Sequence, residues 1–337
     1  MTTDELFMQR CIQLARQGAA GAAPNPMVGA AIVCDGRIIG EGFHRRCGGP
    51  HAEVNAIGSV REKDLLSKST LYVSLEPCAH YGKTPPCADL IIRSGIPRVI
   101  IGCTDTFSKV NGLGIERLRN AGVEVVVGVL EAECRTLNER FFTFHEQERP
   151  WVTLKWAQSL DGFIDRERST KEAPTVFSTP LTQTLSHRLR AHRQAIMVGT
   201  RTALMDNPTL TTRLWDGPSP LRVTFDCHDK LPHTLHLKDG TPPTVIYNHS
   251  RLKEVLKDLH AQGIQSLLVE GGARLLQNFI DEGLWDEARI ETAPIILYKG
   301  VKAPVLPVMK PQKEQRFGQQ QIRYFYAPKT LSRYHIR

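Results

Sequence analysis

The sequence predicts two α/β domains in tandem. Helical and strand patterns alternate through both halves of the chain, which is typical of layered α/β folds. With 337 residues, the chain is also longer than one hydrophobic core usually organises. Near its middle, Pro150 ends a polar segment and Trp151 opens an apolar one. We therefore expect one domain at 1–146 and a second at 147–337.

The first half predicts helices that alternate with strands and end at glycines. The expected helices are Asp4–Gln17, Ala52–Val60, Cys87–Ser94 and Gly114–Asn120, and the expected strands are Val28–Asp35, Thr70–Leu75, Val99–Gly102 and Val123–Val127. Gly95 and Gly122 follow predicted helices, where glycine commonly caps the C-terminus. The segment 131–148 is polar and is expected to be helical at its start.

The second half repeats this alternation with a different content. Its expected strands are Trp151–Ala157, Ala195–Gly199, Leu221–Asp226, Thr244–Asn248 and Ser266–Glu270, with helices between several of them, including Leu252–Gln262 and Ala273–Glu282. From Pro304 onward, the chain is rich in Pro, Gln and Arg and predicts no clear element.

Composition indicates an ordinary globular protein, with 41% apolar and 23% charged residues. The net charge of +8 fits small molecules that carry phosphate as well as it fits nucleic acid, so it counts only weakly toward RNA or DNA. We expect no nucleic-acid partner. No signal peptide or membrane-spanning run is visible, which predicts a cytoplasmic protein without a membrane partner. The cysteines without ligand spacing are expected to be buried small hydrophobic residues: Cys11, Cys34, Cys47, Cys103, Cys134 and Cys227.

The remaining cysteines belong to a metal-binding pattern. His51, Cys78 and Cys87 offer one imidazole and two thiols, and Glu53 follows His51 by two residues. Three protein ligands leave the fourth position of a tetrahedral zinc open to water, whose pKa the metal lowers toward about 7. Glu53 would then carry that water's proton to the ring nitrogen and the departing amine. The pattern predicts a zinc-dependent deaminase.

Three other interpretations of this pattern use the same residues. A structural zinc site would need a fourth protein ligand, and it would have no use for a carboxylate beside an open coordination position. A deaminase of nucleic acid or free nucleosides would share the His-x-Glu and cysteine set, but it would not explain a second α/β domain. Core thiols with a surface histidine are the non-functional alternative.

The motifs around this pattern resemble the bifunctional deaminase/reductases of riboflavin biosynthesis, within the cytidine deaminase-like superfamily. They are PNPMVG (24–29), GFH (42–44), HAE (51–53) and EPCAHYGKTPPC (76–87). The resemblance implies an N-terminal cytidine deaminase-like α/β/α domain. It also implies that Asn25, His44, His80 and Lys83 contact a phosphorylated pyrimidine substrate.

The second half resembles the reductase domain of the same family, which is similar to dihydrofolate reductase in fold. The motifs are LKWAQSLDG (154–162), LRA (189–191), VGTRT (198–202), DNPTLTTR (206–213) and VEGG (269–272). The resemblance assigns the NADPH site to Ala157, Thr202, Asp206, Gly272, Ala273, Arg274, Leu275, Leu276, Gln277 and Asn278. It assigns the ribosyl substrate to Arg190, Leu210, Arg213 and Glu270, with Lys155 and Ser178 as further candidates.

Taken alone, the glycine pair between a predicted strand and helix is a weak nucleotide signal, because the full G-x-G-x-x-G pattern is absent. NADPH is expected over NADH for two reasons. No acidic residue stands at the spacing from the glycines at which Rossmann proteins bind the ribose 2′-hydroxyl of NADH, and the second half of the chain is rich in arginine. The segment 167–176 is a few residues longer than the family pattern, and Val176 stands where a Trp is usual near the nicotinamide.

These observations predict two reactions in one chain. The zinc site would deaminate 2,5-diamino-6-(5-phosphoribosylamino)pyrimidin-4-one, and the second domain would reduce the ribosyl group to ribityl with NADPH. The alternative is deamination of another nucleobase or nucleoside, with a reductase-like domain that is inactive or differently employed. We also expect a homo-oligomer.

Overall fold

The computed structural model describes residues 1–19, 21–79, 85–106 and 112–334. The chain divides into two compact units, Met1–Gln147 and Glu148–Arg337. Each unit has its own sheet and its own hydrophobic core.

The first unit follows the alternation that its sequence predicts. Its helices are α1 (Thr3–Arg16), α2 (Ala52–Ser59), α3 (Cys87–Arg93), α4 (Leu113–Asn120), α5 (Glu131–Leu137) and α6 (Glu139–Gln147). Its strands are β1 (Gly29–Cys34), β2 (Arg37–Phe43), β3 (Thr70–Leu75), β4 (Arg98–Cys103) and β5 (Glu124–Val127). A 3₁₀ segment at Lys63–Lys68 precedes β3.

The five strands form one sheet in the order β2-β1-β3-β4-β5. β1 pairs antiparallel with β2 and β3, whereas β3, β4 and β5 run parallel. β1 reads GAAIVC and is buried along its whole length, as expected for a strand covered on both faces. The parallel strands β3 and β4 end at the same edge of the sheet, and this edge carries the site described below.

The second unit has a larger sheet. Its helices are α7 (Pro180–Ala191), α8 (Thr200–Asp206), α9 (Leu252–Ala261), α10 (Ala273–Asp281) and α11 (Pro328–Tyr334). Its strands are β6 (Trp151–Gln158), β7 (Phe163–Asp165), β8 (Ala195–Val198), β9 (Leu221–Phe225), β10 (Thr244–Tyr247), β11 (Ser266–Gly271), β12 (Glu287–Thr292), β13 (Val301–Lys302), β14 (Lys313–Phe317) and β15 (Gln320–Tyr326). A short 3₁₀ segment lies at His236–Lys238.

Eight of these strands form a sheet in the order β10-β9-β8-β11-β6-β12-β15-β14. The strands from β10 to β12 run parallel, and β15 and β14 extend the sheet antiparallel. One face of the central strands packs into the main core with α9 and α10, through residues such as Leu154, Val269 and Ile290. The opposite face is polar at its centre and lies under α7.

Each helix and strand predicted from the sequence overlaps an observed one, so the α/β prediction is confirmed. β2 in the first unit was not predicted from the sequence. In the second unit, β7 and every strand after β11 were not predicted either. Among the six cysteines predicted to be buried, Cys47 and Cys227 are exposed, so that prediction is wrong for these two; Cys11, Cys34, Cys103 and Cys134 are buried.

Within the described ranges, every helix is too short or too polar to span a bilayer.

Candidate active sites

The predicted zinc ligands converge at the edge of the first sheet. His51 is the N-cap residue of α2, and Cys87 is the first residue of α3. Cys78 lies three residues beyond the end of β3. Two helix starts and one strand end therefore present the imidazole and the two thiols to each other. Helix starts also favour anionic groups such as thiolates.

The distances between these ligand atoms fit one metal ion. His51 Nδ1 lies 3.6 Å from Cys78 Sγ and 3.3 Å from Cys87 Sγ. All the ligand atoms lie within 4.8 Å of one another. Tetrahedral zinc with Zn–S bonds of about 2.3 Å and Zn–N bonds of about 2.0 Å holds its ligands roughly 3.5 to 3.8 Å apart. We call His51, Cys78 and Cys87 the zinc centre.

The side chains of the zinc centre share protons. Hydrogen bonds from Cys87 and His51 lower the pKa of the Cys78 thiol to about 4. The hydrogen bond with Cys78 raises the pKa of His51 to about 9. The backbone N–H of Cys87 also donates to Cys78 Sγ at 3.4 Å. Negative charge therefore collects at Cys78, and a bound cation would displace the protons that these groups hold.

Glu53 lies in the first turn of α2, and only 3% of its surface is exposed. Burial raises its pKa to about 7, against the opposing charge of His51. A carboxyl group with such a pKa can both accept and donate a proton near neutral pH, as a general acid/base must. The structure thus brings the predicted proton carrier to the zinc centre.

Asn25 and His44, both predicted to bind substrate, are hydrogen-bonded to each other. His44 Nδ1 lies 3.1 Å from the carbonyl oxygen of Pro50, which can only accept, so Nδ1 carries the proton. His44 Nε2 then accepts from Asn25 Nδ2 at 3.1 Å. Burial lowers the pKa of His44, which favours this neutral form. The His44 ring meets that of His51 edge-on, with centroids 5.3 Å apart. The other two predicted contacts, His80 and Lys83, lie outside the described residues.

A buried carboxylate behind the zinc centre was missed by the sequence analysis. Glu76 accepts hydrogen bonds from four backbone amides, those of Asp105, Gly112, Gly114 and Ile115, at 2.9 to 3.3 Å. A Cβ at Gly114 would lie 1.9 Å from the carbonyl oxygen of Pro77, so the start of α4 packs directly against the backbone next to Cys78. Glu76 therefore anchors the segment that carries a zinc ligand. Its place directly before Pro77-Cys78 was the only signal in the sequence.

The second unit has a row of charged side chains on the α7 side of its sheet. Leu154 pairs with Val269 and Lys155 pairs with Arg289, so Glu270, Lys155 and Arg289 lie side by side on β11, β6 and β12. Glu291 follows on the same face of β12, because side chains of a strand alternate between its faces. We call Lys155, Glu270, Arg289 and Glu291 the charged face.

Arg190 in the last turn of α7 closes over this face. Its Nη2 and Nε donate to the two carboxylate oxygens of Glu270 at 2.6 and 3.1 Å. Desolvation alone would raise the pKa of Glu270, but the charges of Arg190 and Lys155 outweigh it and lower the pKa to about 2. Desolvation lowers the pKa of Lys155, and the negative charge of Glu270 offsets part of this lowering. Glu270 is therefore ionised throughout the neutral range.

Arg213 and Leu210 follow in the segment beyond α8. Leu210 is buried, whereas Arg213 is exposed and its Nη1 donates to the hydroxyls of Thr209 and Thr211. The backbone N–H of Arg213 donates to His187 Nδ1 at 2.9 Å. Burial, with the nearby charges of Arg190 and Arg213, lowers the pKa of His187 to about 4. A neutral His187 thus holds the backbone of Arg213, a role that the sequence analysis missed.

Ser178 lies just before Thr179, the N-cap residue of α7. Its hydroxyl donates to Glu291 Oε2 at 2.8 Å, and the hydroxyl of Thr182 donates to Glu291 Oε1 at 2.6 Å. The structure therefore connects Ser178 to the charged face through Glu291, which the sequence analysis did not single out.

The residues predicted to bind NADPH lie on three elements. Ala157 is on β6, Thr202 and Asp206 are on α8, and Gly272 is the N-cap residue of α10. A Cβ at Gly272 would lie 3.0 Å from Thr202 Oγ1, so these two residues are neighbours. Within α10, the residues predicted from the motif divide into the half-buried Ala273 and Gln277, the exposed Arg274 and Asn278, and the core residues Leu275 and Leu276.

The segment 167–176 is tied to α8. Arg168 donates to the carboxylate of Asp165 at 2.6 Å and also to that of Asp206. Its guanidinium reaches the carbonyl oxygen of Glu172 at 3.1 Å as well. Val176 has 67% of its surface exposed. The segment 167–176 is therefore held by a buried arginine that pairs with a predicted cofactor residue.

Comparisons with known proteins agree with this arrangement. Residues 1–103 match the family model described as "Cytidine and deoxycytidylate deaminase zinc-binding region". Residues 150–317 match the model described as "RibD C-terminal domain". Fold and sites together define a bifunctional enzyme, with a zinc-dependent deaminase domain and an NADPH-dependent reductase domain.

The relatives identify the family. The riboflavin biosynthesis protein RibD of Aquifex aeolicus is 39% identical over 321 residues, which cover 88% of this chain and 89% of that protein. The protein of the same name from Bacillus amyloliquefaciens is 39% identical over 330 residues, 90% of this chain and 87% of that protein. The chain belongs to the RibD family of bifunctional deaminase/reductases of riboflavin biosynthesis.

A solved structure is similar over both domains. The diaminohydroxyphosphoribosylaminopyrimidine deaminase/5-amino-6-(5-phosphoribosylamino)uracil reductase of Thermotoga maritima has a TM-score of 0.85 and 36% identity, covering 96% of this chain and 99% of that one. The RibD structure from Acinetobacter baumannii has a TM-score of 0.85 and 31% identity, covering 96% and 98%.

Proposed function

We propose that this chain deaminates 2,5-diamino-6-(5-phosphoribosylamino)pyrimidin-4-one and then reduces the ribosyl group of the product to ribityl with NADPH. The main observation behind this proposal is that the zinc centre lies beside the buried Glu53. The second unit of the same chain holds a separate charged face. The similarity to the Thermotoga maritima enzyme supports the choice of substrate.

His51, Cys78 and Cys87 would hold zinc, which when bound would supply a nucleophilic water at neutral pH. The carboxylate of Glu53 accepts the proton of that water. It passes that proton to the ring nitrogen and then carries the proton of the added hydroxyl group to the amine, which leaves as ammonia. Burial supports this role, because it raises the pKa of Glu53 to about 7. At neutral pH the carboxyl group therefore accepts and releases a proton with little change in free energy.

The pyrimidine would be held by groups on the segments around α2. Asn25 and His44 form a fixed pair, because Pro50 orients the His44 ring and Nε2 of His44 orients the Asn25 amide. Such fixed polar groups can select the ring edge of the substrate. His80 and Lys83, from the segment between the two cysteines, remain predicted contacts to the ring or the phosphate.

In the second unit, we propose that the ribosyl group binds beside the charged face, against Lys155 and Glu270. Arg190 is engaged by Glu270, which supports a role for Arg190 in orienting that carboxylate. The exposed guanidinium of Arg213 is then the better candidate for the substrate phosphate, since it can offer a bidentate fork. Lys155 and Ser178 complete the proposed substrate contacts, and Leu210 supports the segment that carries Arg213.

NADPH would bind across Gly272 and Thr202. Gly272 leaves room for a phosphate close to the start of α10, where backbone amides and the helix dipole favour an anion. Leu275 and Leu276 pack in the core, so we propose that α10 contributes to this site mainly through its first turn. Asp206, which pairs with Arg168, would line the same site.

The deciding experiment incubates purified protein with the diaminopyrimidine substrate, with and without NADPH, and analyses the products by mass spectrometry. Without NADPH, we expect a product about one mass unit heavier, because an amino group is replaced by oxygen. With NADPH, we expect a further gain of about two mass units from hydride and proton. An unchanged diaminopyrimidine, with cytidine or another nucleoside deaminated instead, would favour the alternative activity.

We also propose that the domains expected from the sequence, 1–146 and 147–337, are the two catalytic domains, and that the enzyme acts as a homo-oligomer in the cytoplasm. Limited proteolysis and size-exclusion chromatography with light scattering test the first two proposals, and cell fractionation tests the third.

A further inference from the structure

Glu291 is a fully buried carboxylate, with 0% of its surface exposed. Among the described residues, no lysine or arginine forms an ion pair with it, and its hydrogen bonds come from the hydroxyls of Ser178 and Thr182. Burying a carboxylate costs free energy unless the surroundings compensate it. A glutamate held mainly by hydroxyl groups therefore calls for a role beyond stability.

The direction of these hydrogen bonds fixes the polarity of Ser178. In both hydrogen bonds to Glu291 the hydroxyl group is the donor, so the single hydroxyl proton of Ser178 points to Glu291 Oε2 at 2.8 Å. Only the lone pairs of Ser178 Oγ then remain available for hydrogen bonding. Ser178 can then accept a hydrogen bond from a ligand but cannot donate one.

The backbone around Ser178 is fixed as well. Gln320 Nε2 donates to the carbonyl oxygen of Phe177 at 2.9 Å, and Gln183 Nε2 donates to that of Ser178 at 3.3 Å. Thr179 caps the start of α7 by accepting from the backbone N–H of Thr182. The hydroxyl of Ser178 therefore has both its position and its proton direction set by its neighbours.

We propose that Glu291 is a positioning residue of the reductase. It orients Ser178 as a hydrogen-bond acceptor for a hydroxyl group of the ribosyl substrate. Glu291 acts through Ser178 and does not touch the substrate. This inference rests on the proposed reductase function, in which Ser178 contacts the ribosyl group.

Glu291→Gln tests the proposal, because a glutamine amide can donate and so permits the opposite polarity at Ser178. We expect the KM for the deaminated substrate to rise about tenfold, the scale of one lost hydrogen bond. The KM for NADPH, the deaminase activity and kcat are expected to stay within about twofold. An unchanged substrate KM would overturn the proposal.

Glu287→Gln is the matched control. Glu287 is a buried glutamate on the same face of β12, but its partners are Thr153 and Arg193. Its replacement perturbs the same strand without reaching Ser178, so we expect an unchanged substrate KM. If Glu287→Gln raises the substrate KM as much as Glu291→Gln does, the effect comes from general disruption of β12, and the proposal is overturned.

A double mutant separates action through Ser178 from direct action. In a Ser178→Ala background, Glu291→Gln should add no further rise in substrate KM, whereas additive effects would overturn the proposal. Should Glu291→Gln fail to fold, Glu291→Asp, which shortens the reach to Ser178, is expected to raise the substrate KM in the same way. If the wild-type protein does not reduce the deaminated substrate with NADPH, the proposed function itself is refuted.

Discussion

The zinc centre and the charged face are built in opposite ways. The zinc centre takes its residues from short motifs between positions 51 and 87, placed at the starts of α2 and α3 and after β3. The charged face takes one residue each from β6 and β11 and two from β12, and α7 covers it. Contiguous motifs reveal the first site in the sequence, whereas the second exists only after strands distant in sequence have paired.

The largest expected effect tests whether the two sites work independently. Cys87→Ser removes a thiolate ligand from the zinc centre, so deamination should be abolished and zinc content should fall from about one ion per chain. Reduction of supplied deaminated substrate should remain near wild type. Metal analysis and both activities are measured on the same preparation. Loss of both activities, with the circular dichroism spectrum preserved, would contradict independent sites.

A second variant separates metal binding from proton transfer within the zinc centre. Glu53→Gln removes the proton carrier but no ligand. Deamination should fall about 100-fold or more, the scale of general acid/base contributions. Zinc content should match wild type by atomic absorption. Full turnover in this variant would remove Glu53 from the mechanism.

The charged face is expected to show its own pH dependence. The folded-state pKa of Glu270 is lowered to about 2, so its ion pair with Arg190 stabilises the fold above the unfolded pKa of about 4.3. That stabilisation, on the order of 3 kcal/mol, is lost as the pH falls toward 2. The difference in unfolding free energy between wild type and Glu270→Gln should therefore be constant above pH 5 and shrink by roughly half or more by pH 3.

Urea unfolding followed by fluorescence from pH 3 to 8 measures this difference. A difference that is independent of pH over the whole range would show that the charge of Glu270 does not carry the effect. The reductase rate in the neutral range should show no titration of Glu270, because the group remains ionised there.

The smallest expected effect concerns the cofactor. Gly272 has an extended backbone that other residues can adopt, and the nearest atom to an added Cβ is Thr202 Oγ1 at 3.0 Å. Gly272→Val should therefore raise the Kd for NADPH about tenfold or more by filling the space next to the start of α10, with deamination and zinc content unchanged. Fluorescence titration with NADPH and NADH checks this. Unaltered NADPH binding, or equal wild-type affinity for both cofactors, would contradict the assignment.

The sequence is most informative where local pattern determines structure. The convergence of His51, Cys78 and Cys87 could be predicted because their residue types and spacing form local motifs, with His51 and Cys87 at helix starts that the sequence itself indicates. The role of Glu76 could not be predicted, because its partners are backbone amides from residues 105 to 115 that only the fold brings near.

β12 was missed for a different reason. Its sequence, EARIET, alternates charged and uncharged residues, and such a pattern favours an exposed segment when its partners are unknown. All six residues are nevertheless buried, since α7 covers the charged side. The alternation itself was the available signal, because period two is that of a strand.

The alternation along β12 also acts as a check on correct strand pairing. If β12 slipped by one residue against β6, Glu291 and its charged neighbours would enter the apolar core, and Ala288 and Ile290 would face α7. Moving unpaired charges into that core costs several kcal/mol per ion. This cost is far larger than the free energy gained from pairing one more residue of the strand. The charged side chains that line one face of β12 therefore also disfavour chains in which this strand pairs out of register.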